Sequence, residues 1–202
     1  MDLDPQPGTT FGDVIAAAHE LRAVLREADL ESFVKTSGNR GLHMFAPIEP
    51  EEEFLEVRHA VIAAARELER RMPDRVTTKW WKEERGERIF VDYNQANRDR
   101  TMAGAYSPRA LPHAAVSCPV TWDELDDVDA ARLTVLTVPE RLRTIGDPWE
   151  DLHAAPGRID VLRSWWERDV ENGLGELPFP PDFPKMPGEP MRVQPSRARA
   201  GD

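Results

Sequence analysis

Asp2 and Asp4 stand one residue apart in Met-Asp-Leu-Asp-Pro. In an extended chain, residues i and i+2 point to the same side, so the two carboxylates face one point and repel unless a cation lies between them. Asp92 closes the run Arg-Ile-Phe-Val-Asp, at the end of a strand-forming stretch where an unpaired carboxylate is costly. Backbone N–H groups or Arg100 would satisfy it. As a third carboxylate it would instead complete an oxygen cluster for Mg²⁺ or Mn²⁺. Two such ions can clamp both the attacking and the leaving oxygen of a phosphoryl transfer.

The complementary charge comes from Lys35-Thr-Ser-Gly-Asn-Arg-Gly-Leu-His43. A glycine-rich tip lets backbone N–H groups approach an anion. Ser37, Arg40 and His43 add donors and Lys35 adds charge, which makes a phosphate cradle. A half-buried strand histidine bonded to a carbonyl is the plainer reading of His43 alone. Four donor side chains within nine residues around two glycines are more than a turn requires. After Asp92, the stretch from Asn97 to Arg109 brings Arg98, Arg100 and Arg109, which suit a triphosphate or a nucleic-acid backbone. Taken singly, such arginines are more often solvated loop charges.

The elements that must position these residues follow from periodicity. Val14, Ala18, Leu21, Leu25 and Ala28 recur at helical spacing over 10–30, with Thr10 and Asp13 placed as a capping box. Phe54, Val57, Val61, Ala64 and Leu68 predict a second helix over 50–72, which Pro73 stops. Between them, 32–36 and 42–48 read as two strands of a hairpin, with Gly38, Asn39 and Gly41 able to supply positive φ. Residues 88–93 predict a buried strand and 114–119 another extended segment. Thr121 and Glu124 have capping-box spacing for a short helix. A last helix over 158–172 would bury Ile159, Leu162, Trp166 and Val170. Seven prolines in the 28 residues from Gly175 predict an extended, unpacked tail. Helices and hairpin strands alternate without a strand-helix-strand rhythm, so an α+β fold is expected, with one domain over 1–174 and the tail over 175–202.

The 202 residues carry a net charge of −11, which argues against a protein that holds nucleic acid by bulk charge. Positive charge is nevertheless concentrated. Between Pro73 and Arg109, eight basic residues meet six acidic ones, a surplus of +2 that leaves −13 for the rest. The first residues are acidic and proline-broken where a secretory signal is basic and then apolar, and no apolar run reaches membrane-spanning length. The lone Cys118 builds no intramolecular disulfide. A cytoplasmic protein with no membrane partner is expected.

Asp-Leu-Asp-Pro at 2–5, Phe-Val-Lys-Thr-Ser-Gly-Asn-Arg-Gly-Leu-His at 33–43, Ile-Phe-Val-Asp-Tyr-Asn-Gln at 89–95, Ala-Tyr-Ser-Pro-Arg at 105–109 and Thr-Trp-Asp-Glu-Leu at 121–125 occur in that order. Order and spacing resemble the successive motifs of the polymerase domain of bacterial DNA ligase D, a branch of the archaeo-eukaryotic primases. The likeness is strongest to its stand-alone members. The resemblance implies a primase-polymerase fold, a mixed and mostly antiparallel sheet flanked by helices. It also implies a template-directed nucleotidyltransferase of non-homologous end joining. By the same analogy, Asp2, Asp4 and Asp92 would hold Mn²⁺ or Mg²⁺, and Lys35, Ser37, Arg40, His43 and Arg109 would bind a nucleoside triphosphate. Implied partners are DNA ends with their template strand, nucleoside triphosphates with ribonucleotides preferred, and an end-joining ligase.

Two departures stand out. The hairpin tip is Gly-Asn-Arg-Gly where the family commonly has Gly-Gly-Lys-Gly, which keeps the charge but exchanges a point donor for a planar fork. The chain also begins at the Asp-x-Asp motif, without the family's preceding strand and its basic residues for a DNA 5′-phosphate. It therefore reads as a fragment or as begun too late, with Asp2 and Asp4 lacking a strand to stand on and with poor metal binding and primer extension expected. A DNA-end or ligase-binding module that has lost turnover is the alternative. A haloacid-dehalogenase-type phosphatase, which also starts from Asp-x-Asp, fits poorly because Gln6 occupies the position where Thr or Val is usual.

Overall fold

The structure of the chain, a computed structural model, describes residues 1–96 and 100–179. Asn97, Arg98 and Asp99 of the basic loop and residues 180–202 of the expected tail lie outside the described residues. In chain order the elements are β1 (Asp2–Pro5), α1 (Phe11–Glu27), β2 (Phe33–Thr36), β3 (Leu42–Phe45), α2 (Phe54–Arg71), β4 (Val76–Thr77), α3 (Lys82–Arg85), β5 (Ile89–Asp92), β6 (Ser107–Pro108), β7 (Val116–Ser117), β8 (Pro119–Val120), α4 (Val138–Ile145) and α5 (Asp160–Glu171). Six strands form one sheet in the order β4-β5-β1-β3-β2-β8, and β6 pairs with β7 separately. Only β4 and β5 run parallel; every other pair in the sheet is antiparallel. The expected α+β class is what the chain adopts.

Asp2 and Asp4 do have a strand to stand on, contrary to expectation. β1 is hydrogen-bonded on both sides, to β3 and to β5, and the Met1 ammonium donates to the Met44 carbonyl at 2.8 Å. A four-residue segment is held in this central place because Leu3 is fully buried and its neighbours across the ladder, Leu42 and Val91, are as well.

Helix α1 starts where the capping box places it. The Asp13 N–H donates to Thr10 Oγ at 3.2 Å, and the Thr10 N–H returns a bond to the Asp13 carboxylate at 2.9 Å. Its buried stripe, Val14, Ala18, Leu21 and Leu25, packs on the apolar face of the sheet formed by Leu3, Val34, Leu42, Met44 and Val91. Each large side chain so buried contributes about 1.5–3 kcal/mol. Helix α2 buries Ala60, Ala64 and Leu68 in the same core.

One sequence expectation fails at the C-terminal end. Helix α5 exposes Val170, 49% accessible, and buries Asp169 instead. The Asp169 carboxylate lies 3.3 Å from Arg70 and 3.6 Å from Arg66, so a buried charge network on α2 outweighs the simple apolar periodicity of α5. Of the segment expected to be an extended tail from Gly175 onward, residues 175–179 are described, and they are tied to the body by hydrogen bonds. Buried Arg66 donates to the carbonyls of Leu174 and Gly175, buried Arg58 to Leu177 O at 2.8 Å, and Asn94 Nδ2 to Pro178 O at 3.2 Å. Proline-rich chain offers unpaired carbonyls, and buried guanidinium groups need acceptors. Elsewhere the extended segment 114–119 splits into β7 and β8, which join different sheets.

Candidate functional site

Strand register assembles the site. Asp92 of β5, Asp2 of β1, His43 of β3 and Lys35 of β2 are successive partners across four neighbouring strands. Directly opposed residues share a face, and Asp4, two positions beyond Asp2, shares it too. Val91, Leu3 and Leu42, one step along each strand, point into the core on the other side. The sheet thus separates an apolar face, which α1 covers, from a charged row.

At one end of the row the carboxylates crowd. Asp2 is pushed up to about 7, first by burial and then by the charges of Asp92 and Asp4. Asp92 accepts from the Asn94 N–H at 3.0 Å and from Gln95 Nε2 at 2.8 Å, so a backbone N–H and a side-chain amide satisfy it rather than Arg100. Asp4 accepts from Gln6 Nε2 at 3.2 Å and lies 3.7 Å from Arg85. Arg85 is buried, with its guanidinium 3.6 Å over the Phe90 ring. Among the described residues, no group of three His, Cys, Asp or Glu side chains is arranged to hold a metal ion. The donor set itself, three carboxylates on one face, is of the kind a hard divalent cation takes. Gln6 and Gln95 donate to two of those carboxylates.

The other end of the row is electropositive. Lys35 is fully buried; its Nζ meets His43 Nδ1 at 2.8 Å, donates to Ser117 Oγ and lies 5.9 Å over the Phe45 ring. Burial lowers Lys35 to about 8, while the Asp2 charge works against that shift. His43 falls to about 3, first through burial and then through the positive charges of Lys35, the Met1 ammonium and Arg109. Its Nε2 lies 3.6 Å from Asp2, so this contact joins a neutral imidazole to a carboxyl and is not an ion pair.

The hairpin tip is built by contacts rather than by three left-handed residues. Only Gly38 has positive φ, at 73°. A Cβ on Gly38 would lie 2.5 Å from Arg109 Cγ and 2.9 Å from the Ser117 nitrogen, so the bare glycine lets Arg109 lie across the tip. Gly41 has ordinary dihedrals but is needed because a Cβ would strike the Leu3 carbonyl. Ser37 Oγ accepts from the N–H groups of Asn39 and Gly41 at 3.2 and 3.1 Å, leaving its own proton to donate. Arg109 is exposed and is anchored by its N–H to Ala115 O at 2.7 Å.

The predicted residues therefore divide. Asp2, Asp4, Asp92, Lys35 and His43 share one face, with Arg109 against the hairpin tip beside them. Arg40 instead lines a 290 Å³ pocket with Thr10, Phe11, Asn39 and Asp129. Lys35 is sealed from solvent, so its side chain reaches His43 and Ser117 rather than an incoming anion. Ser117, Gln95 and Arg85 escaped sequence reasoning. Gln95 follows Asp92 at turn spacing, a signal that was present; nothing local marks Ser117, whose role comes from hydrogen bonds to Lys35 and Thr36, about eighty residues earlier on β2.

Comparison with known proteins places this arrangement. The family model of the LigD primase-polymerase domain matches residues 1–149, a span that includes every residue of the site. The multifunctional non-homologous end joining protein LigD of Mycolicibacterium smegmatis is 35% identical over 187 residues, covering 91% of this chain and 24% of that protein. The LigD protein of Pseudomonas aeruginosa is 34% identical over 164 residues, covering 80% of this chain and 20% of its own length. The chain thus spans roughly a quarter of the relatives it matches. Among solved structures, the polymerase domain from Mycobacterium tuberculosis ligase D in complex with DNA superimposes with a TM-score of 0.70 at 33% identity, covering 77% of this chain and 54% of that one. With its sheet, its Asp-x-Asp strand and its hairpin all inside the matched span, the chain belongs to the LigD primase-polymerase domain family.

Proposed function

We propose that the chain is a metal-dependent, template-directed nucleotidyltransferase that adds nucleotides at DNA ends during non-homologous end joining. The observation that carries this reading is the registered row Asp92, Asp2, His43, Lys35, which sets a carboxylate cluster directly beside an electropositive hairpin. Polymerisation needs that adjacency, because the cation and the nucleotide phosphates must meet at the reacting phosphorus.

Asp2, Asp4 and Asp92 are the residues that would hold Mn²⁺ or Mg²⁺, which when bound offsets the charge that develops as a primer 3′-hydroxyl displaces pyrophosphate. The protein's own part is positioning. Arg109, lying across Gly38, offers a planar fork to phosphate oxygens, and the free Ser37 proton adds a donor at the hairpin tip. His43, being neutral, contributes a hydrogen bond rather than a charge. Arg40, in its pocket with Thr10 and Phe11, would engage a part of the substrate further along the hairpin. No residue is needed as a dedicated general base. The partners in this reading are a DNA end with its template strand, nucleoside triphosphates with ribonucleotides preferred, and an end-joining ligase. A cytoplasmic setting follows from the same role, and no described helix is long and apolar enough to cross a membrane.

One observation favours a second reading, a DNA-end-binding module without turnover: Gln6 and Gln95 occupy hydrogen-bonding oxygens of two of the carboxylates, and among the described residues no three His, Cys, Asp or Glu side chains are arranged to hold a metal. Primer extension on a gapped duplex with Mn²⁺ separates the two. Extension that Asp92→Ala abolishes without altering the circular dichroism spectrum supports the polymerase. Duplex binding with no incorporation at saturating Mn²⁺ and nucleotide would establish the module.

A further inference from the structure

Lys35 presents a puzzle for any reading in which it grips phosphate. It is 0% accessible, on an interior strand, in the same row as a metal-binding candidate. A buried ammonium must spend its protons on acceptors. Ser117 is one of them, and His43 is the other. The Ser117 hydroxyl donates to the Thr36 carbonyl at 2.8 Å, so its proton is committed and its oxygen must accept from Lys35 Nζ. The second neighbour of Nζ is His43 Nδ1, at 2.8 Å. An ammonium has no lone pair, so this contact places the lone pair on Nδ1 and the single ring proton on Nε2.

We propose that Lys35 is a positioning residue, anchored by Ser117, whose ammonium fixes His43 as the neutral tautomer with its only N–H, at Nε2, turned toward Asp2. Two consequences follow from the geometry. Nε2 lies 3.6 Å from the Asp2 carboxyl, beyond good hydrogen-bond range, so its N–H remains available to an arriving oxygen. The groups that face this pair, namely Asp2 with the adjoining Met1 ammonium and Arg109, come from two distant parts of the chain, so the surroundings of the imidazole depend on the folded sheet. The use of that N–H on a nucleotide phosphate rests on the function proposed above; the tautomer itself does not.

The test has an arm for each part. In the full chain labelled with ¹⁵N-histidine, without metal or nucleotide, long-range ¹⁵N–¹H correlations at pH 7 report the tautomer. The His43 signal is assigned through His43→Gln. The expected result is one form, with Nδ1 as acceptor and Nε2 protonated, and a mixture of tautomers in Lys35→Met. A protonated Nδ1 in the wild-type chain overturns the proposal, even if Lys35→Met does not fold.

The second arm titrates magnesium-ATP. A glutamine amide nitrogen reaches the Nε2 position, whereas an asparagine amide reaches the Nδ1 position. His43→Gln should keep affinity within about threefold, and His43→Asn should lose about tenfold. Equal losses in both variants overturn the assigned use of Nε2–H. If the wild-type chain binds no ATP while the tautomer is as stated, the proposed function fails and the positioning role stands.

Discussion

Replacing Asp2 with Asn tests the electrostatics of the site most directly. Asp2 rises from 3.8 to about 7 on folding, a displacement driven by burial and by the facing carboxylates of Asp92 and Asp4. For an acid whose folded pKa is raised, the native state keeps its proton to higher pH than the unfolded chain. Stability is therefore fully retained below about pH 4, falls as pH rises toward 7, and is flat above that. At about 1.4 kcal/mol per pKa unit the full displacement is roughly 4 kcal/mol, and partial access of solvent to the Asp2 side chain reduces this to about 2–4. His43 acts in the opposite sense. Its folded pKa is depressed from 6.5 to about 3, so its contribution is present above pH 6.5 and is lost as pH falls through that window. The two contributions oppose one another between about pH 4 and 6.5, so each masks part of the other's effect there. Asp2→Asn removes only the first. Urea denaturation in chelator should show the variant more stable than wild type by about 2–4 kcal/mol at pH 8 and by about 1 kcal/mol near pH 5. It should also show a new loss of stability on acidification, from His43. A variant no more stable than wild type at pH 8, or with the wild-type pH profile, would refute the reading that burial and the facing carboxylates together raise the Asp2 pKa on folding.

Other outcomes follow from particular contacts. If the three carboxylates hold a divalent ion, Mn²⁺ should raise the wild-type melting temperature through preferential binding to the folded state, and should not raise that of Asp92→Asn, as read by differential scanning fluorimetry. Gly41→Ala should destabilise by about 2 kcal/mol or more in urea, because its Cβ would strike the Leu3 carbonyl in the central strand. A chain ended at Gly173 should lose about 2–4 kcal/mol, since buried Arg58 and Arg66 would surrender their carbonyl acceptors; unchanged thermal unfolding would count against the packed strap. Arg109→Ala should weaken ATP binding about tenfold or more while lowering affinity for a blunt duplex less, and equal losses in paired titrations would indicate a general basic surface instead.

Much of the scaffold was legible because it is local. The Thr10–Asp13 capping box, the stripe of α1 and the hairpin around Gly38 each depend on residues within one helical turn or one tight loop, and they appear where spacing put them. The end of the chain was less legible for the same reason in reverse. Val170 sits correctly for an apolar stripe, yet Asp169 takes the buried place because Arg66 and Arg70, about a hundred residues away in sequence, wait on α2.

The site itself was half legible, and the missing half is register. Residue type and spacing singled out Asp2, Asp4, Asp92 and the donors of the hairpin as candidates. They did not show that Asp92, Asp2, His43 and Lys35 are level across four strands, because a shift of one residue in any ladder would send that side chain to the opposite face. What prevents the shift is apolar. Leu3, Leu42 and Val91 must face the core under α1, and once they do, the intervening positions have no alternative to the charged row. The chemistry of the site is thus aligned by residues that never touch it. A charged Leu3 variant should consequently disturb the alignment of Asp2 with Asp92 and His43 through the strand itself, a loss that no change confined to the polar face would repair.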